Sequence, residues 1–536
     1  MIRRSLAAVL VAAAVVASPA AGTPAQTPRV GGTLEVAALT EPPCLSPLVS
    51  PCQDGTLPVY GVLEGAFKIG PDLTRHPRLV SHVDFTTKPP FTLTYHIRPE
   101  ARWSDGTPIT AGDFVFTYQA RRKFPPLGDD NPYETRIRSV RTIDAKTVKV
   151  VLRSRFAFWR DLFEVVLLRH ALRGKDLASI WTDRIDDPRT GRPIASGPFL
   201  VERWQRGQQL ALVRNPRYWG PHPAYLDRIV VRYSNDPAVI ADFFRQGVDI
   251  GQWQFDENLV AALQRVPGIK LILAPDAPGW EHLDIRIGPG GHPALKNKLV
   301  RRALAYGIDR VALVRALFGE TGASLRPLDS ALLRSGNRSY RANWSIYRYR
   351  PAEARRLLER AGCRRGGDGI YSCQGERLAL RFVSRGAARR AQTLDLVQAQ
   401  LRQAGIQVVP SYATQLGHNQ VLESGDFDVT LFAWFGSGAE GPGINGLFGC
   451  GGDQNYIGYC QRLVTRDLDQ ADRILDAGER ARVLNRADVQ LAKDVPTIPL
   501  FEVPSLAAVR STVRNFTSSF SVTDPTWNAE NWWLER

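Results

Sequence analysis

Residues 426–460, DFDVTLFAWFGSGAEGPGINGLFGCGGDQNYIGYC, contain the pattern that decides the fold. Alternating apolar residues after a polar break predict a buried strand that ends at Trp434. A glycine-rich loop follows, and glycine lets a backbone approach a ligand closely. A strand that brings the rings of Trp434 and Phe435 and the bare backbone of Gly436 to its carboxyl end is typical of α/β binding clefts. The alternative is that both rings are core and the loop is a surface connection.

The length of the chain, 536 residues, exceeds what a single hydrophobic core supports, so two or three lobes are expected. Its composition, 44% hydrophobic and 23% charged, is typical of soluble globular proteins. After residue 30, no run approaches the roughly 20 apolar residues that span a bilayer.

The N-terminus has the pattern of a secretory signal. Arg3 and Arg4 precede an apolar run over residues 6–17, and small residues follow. We therefore predict that residues 1–25 are a signal peptide and that the protein is extracytoplasmic, either periplasmic, at the cell surface or secreted. An uncleaved anchor is the alternative, but about 12 apolar residues are short for a membrane span. The first cysteine, Cys44, is too distant for a lipid-modified N-terminus.

Six cysteines fall into three close pairs, and export favours disulfides over free thiols. Six cysteines allow 15 pairings, but the short intervals favour three local bridges. A zinc site is the competing interpretation, and it is weakened by the absence of a CxxC motif and by the scattered histidines. The predicted pairs are Cys44 with Cys52, Cys363 with Cys373, and Cys450 with Cys460.

The formal net charge of +16 raises the question of nucleic-acid binding. The arginines are spread along the whole chain and often lie beside acidic residues, and no known nucleic-acid motif is present. We therefore interpret the charge as a solvated surface and expect no nucleic-acid partner. No pattern indicates a cofactor, a metal site or a catalytic centre, because no HExxH, P-loop or G-x-S-x-G motif occurs.

Local signals predict several elements. Thr110 with Asp113 is a capping box that begins a helix. A strand, a helix over residues 389–404 and a second strand predict a right-handed crossover and a parallel pair. The proline- and glycine-containing interval between Ile272 and Leu283 predicts a crossing between lobes.

Five stretches, in order along the chain, resemble the extracytoplasmic solute-binding proteins of ABC importers, in the oligopeptide/dipeptide/nickel class (family 5). The resemblance extends from residue 31 to residue 533. Its strongest stretches are WSDGTPITAGDFVF (103–116), GPFLVERWQRGQQLALVRNPRYWG (197–220), LVRRALAYGIDRVALVRALFG (299–319), YRPAEARRLLERAG (349–362) and ERARVLNRADVQLAKDVPTIPLF (479–501).

The resemblance implies an α/β, two-lobed periplasmic-binding-protein-like fold (type II, large class with an extra subdomain). Lobe I would comprise residues 30–60, 190–277 and 505–536. The extra subdomain, residues 61–189, would pack on lobe I, and lobe II would comprise residues 278–504.

The resemblance also implies ligand contacts in the loop after the strand. In peptide-binding members, an aromatic residue is followed three residues later by an Asp that pairs with the α-amine of the peptide. Trp434 matches the aromatic residue, but Ser437 occupies the Asp position, and Glu440 is a candidate substitute. Asn455 and Tyr459 resemble the Asn and Tyr of the family after this loop. Arg286, where the family often has Asn, is a second departure.

Three further candidates follow from position in the chain. Glu41 follows the first predicted strand, and Glu281 and His282 lie where the chain crosses between lobes. Asp426 and Asp428 share a face of the predicted strand, and we interpret them as solvated at the strand edge rather than as a catalytic pair.

The predicted function is capture of a small organic solute, peptide-like or another small amphiphile, by hinge closure, followed by delivery to the membrane subunits of an ABC importer. We expect a monomer without enzymatic activity. The alternatives are a secreted hydrolase of cell-wall fragments on the same frame and a non-transport sensing or binding module.

Overall fold

The structure is a computed structural model that describes residues 27–49, 52, 61–70, 74–126, 131–274, 279–319, 325–435, 443–517 and 526–535. The predicted signal peptide lies outside these residues, as do Gly436, Ser437 and Glu440. Among the described helices, none combines the length and apolar character that crossing a membrane requires.

A seven-stranded mixed sheet forms one half of the molecule. The hairpin around Gly207 is an antiparallel pair at one edge of this sheet. The first strand of the chain lies at the centre and pairs in parallel with both of its neighbours. The strands, in spatial order, are Phe199–Gln205, Gln209–Arg214, Arg228–Tyr233, Thr33–Ala38, Ile250–Gln254, Ser505–Arg510 and Ile269–Ala274.

A five-stranded sheet forms the other half. The predicted parallel pair is confirmed, with Leu380 opposite Val408, and the Ala388–Gln403 helix connects the two strands. The predicted strand that ends at Trp434 is also confirmed. The strands, in spatial order, are Gln407–Ala413, Ala379–Arg385, Val429–Trp434, Trp280–Ile285 and Thr497–Glu502.

The chain passes between the two large sheets twice. One passage joins Ile269–Ala274 to Trp280–Ile285, within the interval where the sequence predicts a crossing. The other joins Thr497–Glu502 to Ser505–Arg510 through two residues. Both passages leave the five-stranded sheet from the same end, because Trp280 is the register partner of Glu502.

A separate four-stranded antiparallel sheet is formed by the part of the chain that lies, in sequence, between the first and second strands of the seven-stranded sheet. The Ala111–Lys123 helix covers it, and the predicted capping box is confirmed, with the Thr110 amide donating to Asp113 Oδ2 at 2.8 Å. Phe114 is buried on this helix. The strands, in spatial order, are Val80–Thr86, Thr92–Ile97, Thr147–Leu152 and Ile137–Thr142.

The remaining elements are shorter or lie around the sheets. The other α-helices are Pro132–Thr135, Arg169–Leu172, Pro237–Gln246, Glu257–Leu263, Lys298–Gly307, Arg310–Phe318, Pro351–Arg360, Gln415–Ser424, Ile444–Phe448, Arg462–Ala471 and Ala477–Asp494. Single 3-10 turns occur at Trp159–Asp161, Pro293–Lys296 and Ala529–Asn531. Small strands pair as Phe67–Ile69 with Arg75–Pro77, Asp186–Asp187 with Arg192–Pro193, Val513–Arg514 with Trp533–Leu534, and Arg364–Arg365, Tyr371–Cys373 and Glu376–Arg377 with one another.

The apolar core is divided in the same way as the sheets. One large cluster lies beneath the four-stranded and seven-stranded sheets and includes Trp532 from the C-terminal segment. A second cluster surrounds the five-stranded sheet. All three predicted disulfides are confirmed, and each closes a loop of about ten residues, worth roughly 2.5–3 kcal/mol in the chain-entropy model.

The prediction for Asp428 is wrong, because this carboxylate is buried rather than solvated, with 3% of its surface exposed. It accepts hydrogen bonds from the His292 amide at 2.8 Å and the Arg381 amide at 2.7 Å. The Arg381 guanidinium lies 3.3 Å away and also contacts the exposed Asp426. Asp428 therefore joins three segments of the five-stranded half.

Candidate functional site

The end of the Val429–Trp434 strand brings several aromatic rings together. Trp434 is half-buried, and its ring centroid lies 4.9 Å from that of Phe432, 6.2 Å from that of Tyr456 and 6.3 Å from that of His282. Phe435 is the next residue, and 41% of its surface is exposed. These contacts leave part of the Trp434 surface available at the carboxyl end of this central strand.

The ring of Phe435 lies against the passage between the halves. A Cβ atom added to Gly279 would lie 2.3 Å from the Phe435 ring, so only glycine allows this approach. The Gly279 carbonyl also accepts a hydrogen bond from the Val503 amide, in the second passage, at 2.8 Å. The aromatic end of the strand is therefore packed directly beside both connections.

Trp280 is the first residue of the strand that follows the first passage. It lies opposite Trp434 on one side and Glu502 on the other. Only 2% of its surface is exposed, and its ring stacks on His282 with centroids 4.2 Å apart. Two tryptophans thus lie side by side where the chain enters this half.

Arg334 covers Trp280 from the loop that follows the Arg310–Phe318 helix. Its guanidinium carbon lies 4.7 Å from the Trp280 ring centroid, and 6% of the residue surface is exposed. Nη2 donates to the Ala331 carbonyl at 3.3 Å, but Nε and Nη1 have no hydrogen-bond partner. Burial lowers the pKa of the Arg334 guanidinium to about 10, so it is still charged at neutral pH. A buried cation with two unused donors is a ready partner for an anionic group.

Glu281 points to the opposite face of the same strand and is fully buried. Its carboxylate accepts from Arg390 Nε at 2.5 Å and Arg389 Nη2 at 3.2 Å. Burial opposes ionisation, but the two guanidinium groups outweigh it and hold the pKa of Glu281 below its usual value. Arg389 also donates to the carbonyl of Phe255, which follows a strand of the seven-stranded sheet, at 3.0 Å. The Glu281 cluster therefore contributes to the joint between the two halves.

His282 is also fully buried, on the same face as Trp280. Its Nδ1 lies 3.3 Å from the Trp280 carbonyl oxygen, and its Nε2 lies 3.4 Å from Asp284 Oδ2 without hydrogen-bond geometry. The His282 ring stacks on the rings of Trp280 and Trp434 and thereby helps to fix their positions.

Asn455 and Tyr459 hold the segment that follows the glycine-rich loop. The Asn455 side-chain amide donates to the carbonyls of Gly449 at 2.8 Å and Tyr459 at 2.6 Å. Tyr459 is 5% exposed, and its hydroxyl donates to Asp494 at 2.8 Å. Both side chains are thus committed to contacts within the five-stranded half. Their predicted ligand contacts gain no support from this geometry.

Glu41 lies at the edge of the seven-stranded sheet. Its carboxylate accepts from Trp204 Nε1 at 2.7 Å and from the Gly207 amide at 2.9 Å. It fixes the turn of the edge hairpin. It has no hydrogen bond to the cluster at the strand end, which we call the Trp434 group and which consists of Trp434, Phe435, Phe432, Tyr456, His282, Trp280 and Arg334. Of the predicted site residues, the structure therefore brings Phe435 and His282 to Trp434, whereas Glu281 lies on the opposite face of the sheet and Glu41 lies in the other half.

Residues 74–456 match the family described as bacterial extracellular solute-binding proteins, family 5 Middle. The chain belongs to this family. Members of the family are extracytoplasmic binding proteins, which confirms the resemblance seen in the sequence.

This solute-binding protein is similar in sequence and in fold to several characterised proteins. It is 29% identical over 470 residues to the oligopeptide-binding protein OppA of Mycobacterium tuberculosis, covering 85% of this chain and 76% of OppA. Its fold matches the periplasmic EDTA-binding protein EppA with a TM-score of 0.83, at 22% identity, over 95% of this chain and 98% of EppA. It matches AppA from Bacillus subtilis, in complex with a nonapeptide, with a TM-score of 0.74, at 20% identity, over 95% of this chain and all (100%) of AppA. The predicted two-lobed α/β fold is therefore confirmed.

Sequence reasoning did not identify two residues of the Trp434 group in this solute-binding protein. Trp280 carried a weak signal, because it directly follows Gly279 in the interval where a crossing is expected. Arg334 carried none, since it is one of many dispersed arginines. Only the approach of its loop to the sheet places it over Trp280.

Proposed function

We propose that this solute-binding protein captures a small organic solute, peptide-like or otherwise amphiphilic, between its two halves and delivers it to the membrane subunits of an ABC importer. The observation that carries the proposal is the position of the Trp434 group beside both passages between the sheets. Two short connections act as a hinge, and aromatic rings next to a hinge become enclosed when the halves close. The solute favours the closed state through its higher affinity for it.

The unpaired donors of Arg334 suggest which chemistry the solute presents. A desolvated guanidinium with free N–H groups gains most from a carboxylate or another acidic group. We therefore propose that the solute carries an acidic group as well as an apolar part that packs on Trp434. Peptides meet both requirements, as do other small carboxylic acids with apolar substituents.

The α-amine of a peptide would need a different partner from the one that the family resemblance implies. Ser437 stands at the position of the Asp, and Glu440 is the nearest acidic residue after it in the loop. A charged hydrogen bond is worth roughly 1.5–3 kcal/mol, so Glu440 would have to supply that contact in a peptide complex. We propose Glu440 for this role and Ser437 for a neutral contact.

Native mass spectrometry of protein purified without denaturation tests this proposal. We expect one bound species with an acidic group, and we expect it to raise the melting temperature when it is added back to stripped protein. The proposal fails if nothing co-purifies and if a screen of peptides, sugars and metal chelates leaves the melting temperature unchanged.

We further propose that the protein acts as a monomer and binds its solute without turnover. A hydrolytic reaction on cell-wall fragments that is lost in Ser437→Ala would contradict this. The same assay, run on the co-purified species, separates the binding function from the enzymatic alternative.

A further inference from the structure

The outer face of the four-stranded sheet carries a cluster of His82, Asp84 and His96. One potential ligand atom from each lies within 4.8 Å of the others, and no second such group of three occurs among the described residues. The cluster belongs to a different sheet from the Trp434 group. We propose that these three side chains bind a divalent transition-metal ion of the Zn²⁺, Ni²⁺ or Cu²⁺ class.

The sheet register places all three side chains on one face. His82 and His96 are directly opposed on neighbouring antiparallel strands, Val80–Thr86 and Thr92–Ile97. Asp84 is two residues after His82, so its side chain points to the same side. The arrangement is thus fixed by backbone pairing and does not depend on a loop.

The distances fit a metal with small side-chain rotations. The two imidazole rings are nearly parallel, with centroids 4.1 Å apart and an interplanar angle of 8°. His96 Nε2 lies 2.9 Å from Asp84 Oδ2. Ligand atoms around a tetrahedral ion with bonds of about 2.0–2.1 Å lie about 3.3 Å apart. The three donor atoms lie within 4.8 Å of one another, so their widest separation must close by up to about 1.5 Å to reach this spacing.

A neighbouring hydroxyl, that of Ser81, contacts one of the two ring nitrogens of His82. Ser81 Oγ donates its hydrogen to the His96 carbonyl at 3.2 Å. It also lies 3.0 Å from His82 Nδ1, so this nitrogen is already engaged and Nε2 is the ring nitrogen left for a metal. Outer hydrogen bonds of this kind orient metal-bound histidines.

The donor set selects among metals. Two imidazole nitrogens and one carboxylate oxygen suit Zn²⁺, Ni²⁺ and Cu²⁺, whereas Mg²⁺ and Ca²⁺ prefer oxygen ligands alone. The side chains of His96 and Asp84 are 32% and 68% exposed, so solvent or a second molecule completes the coordination. The site is thus open and accessible, in contrast to a closed structural zinc site.

Isothermal titration calorimetry with ZnCl₂, on full-length mature protein without a histidine tag and after removal of metal by chelator, tests the proposal. We expect one equivalent of Zn²⁺ to bind and MgCl₂ to give no signal at the same concentration. His82→Ala and His96→Ala should each weaken Zn²⁺ binding at least tenfold, because each removes one of three ligands. Circular dichroism checks that both variants remain folded, as expected for side chains on an outer face.

The matched control is His170→Ala. His170 and Asp105 form a similar His–Asp pair, with Nε2 and Oδ2 2.8 Å apart, but no third ligand joins this pair within the part of the chain that the structure describes. This variant should retain the Zn²⁺ affinity of the unmodified protein. Equal Zn²⁺ binding by the unmodified protein and by His82→Ala and His96→Ala would show an adventitious ion only and would overturn the proposal. So would the absence of a Zn²⁺ signal in the unmodified protein.

Discussion

Trp280 and Trp434 are directly opposed residues on neighbouring antiparallel strands. Trp280 is buried, whereas Trp434 is only half-buried, so the pair has one anchored ring and one accessible ring. Arg334 lies over the anchored ring. The pair lies at the end of the sheet where both connections to the other half leave. The ring of Trp434 is therefore placed to contact a solute bound between the halves.

Trp434→Ala should weaken solute binding by about 1–3 kcal/mol, because the indole supplies a large apolar face to the solute. The measurement is a calorimetric titration of the stripped protein with its co-purified solute. Tyr412→Ala is the control, since Tyr412 lies on the edge strand of the same sheet and is 44% exposed. Unchanged affinity in a folded Trp434→Ala variant would assign this ring to the core instead.

Glu281→Gln should lower the free energy of unfolding by about 3–5 kcal/mol, because it leaves Arg389 and Arg390 without their buried counter-charge. Urea unfolding at neutral pH measures this loss. Glu353→Gln is the control, because Glu353 pairs with Arg356 on an exposed helix surface and should leave the unfolding midpoint nearly unchanged. Equal midpoints for the two variants would show that the buried cluster adds no stability.

His418 predicts a pH dependence of stability. It is 2% exposed, and its Nε2 lies 3.0 Å from Thr430 Oγ1. Burial, together with the charges of Arg390 and Arg385, lowers the pKa of His418 to about 4. In the unfolded chain the imidazole has a pKa of about 6.5. Between these two values the unfolded state binds a proton that the folded state does not.

The contribution of His418 to stability is therefore complete above pH 7 and is lost as the pH falls from about 6.5 toward 4. Each pH unit in this window costs up to about 1.4 kcal/mol, so a shift from pH 7.5 to 5 should cost about 2 kcal/mol. His418→Gln keeps a polar group beside Thr430 but does not titrate. We measure the unfolding free energy in urea at pH 7.5 and pH 5, and the loss between them should be about 2 kcal/mol smaller in His418→Gln than in the unmodified protein. Equal losses in the two proteins would show that His418 is not the titrating group.

Asp472 joins the four-stranded sheet region to the half that contains the Trp434 group. Its carbonyl accepts from the Ala157 amide at 2.7 Å, and its carboxylate lies 3.4 Å from Arg136 Nη2. Because this contact spans the two halves, Asp472→Ala should weaken their packing against each other by about 1 kcal/mol and lower solute affinity by up to about fivefold. Small-angle X-ray scattering should show a larger radius of gyration in the variant, and exposed Asp469→Ala is the control. An unchanged radius and affinity would show that this contact does not stabilise closure.

Much of the fold follows from local signals that act within a few residues. The helix over Pro237–Gln246 begins and ends on local signals, because the Asp236 carboxylate accepts from the first free amides and Gly247 adopts a φ of 121°. Alternation predicted the strand that ends at Trp434. The three disulfides followed from short spacing in an exported chain.

The prediction for Asp428 failed because burial of a charge depends on distant partners. Two aspartates that are two residues apart have the same local sequence pattern whether their carboxylates are solvated or buried. Asp428 is buried because Arg381 and the His292 amide, far away in sequence, converge on it. Nothing within the strand itself specifies this.

The sequence by itself determined that this protein has two strand-and-helix halves, three local disulfides and an aromatic strand end, since periodicity, capping and spacing act over short distances. Only the tertiary structure decided which polar groups meet at that end. Arg334 and Trp280 are 54 residues apart in the sequence, and they become neighbours only because a loop packs against the sheet. The free energy of such a contact comes from burial and desolvation, which depend on all surrounding segments at once and leave no local trace in the chain.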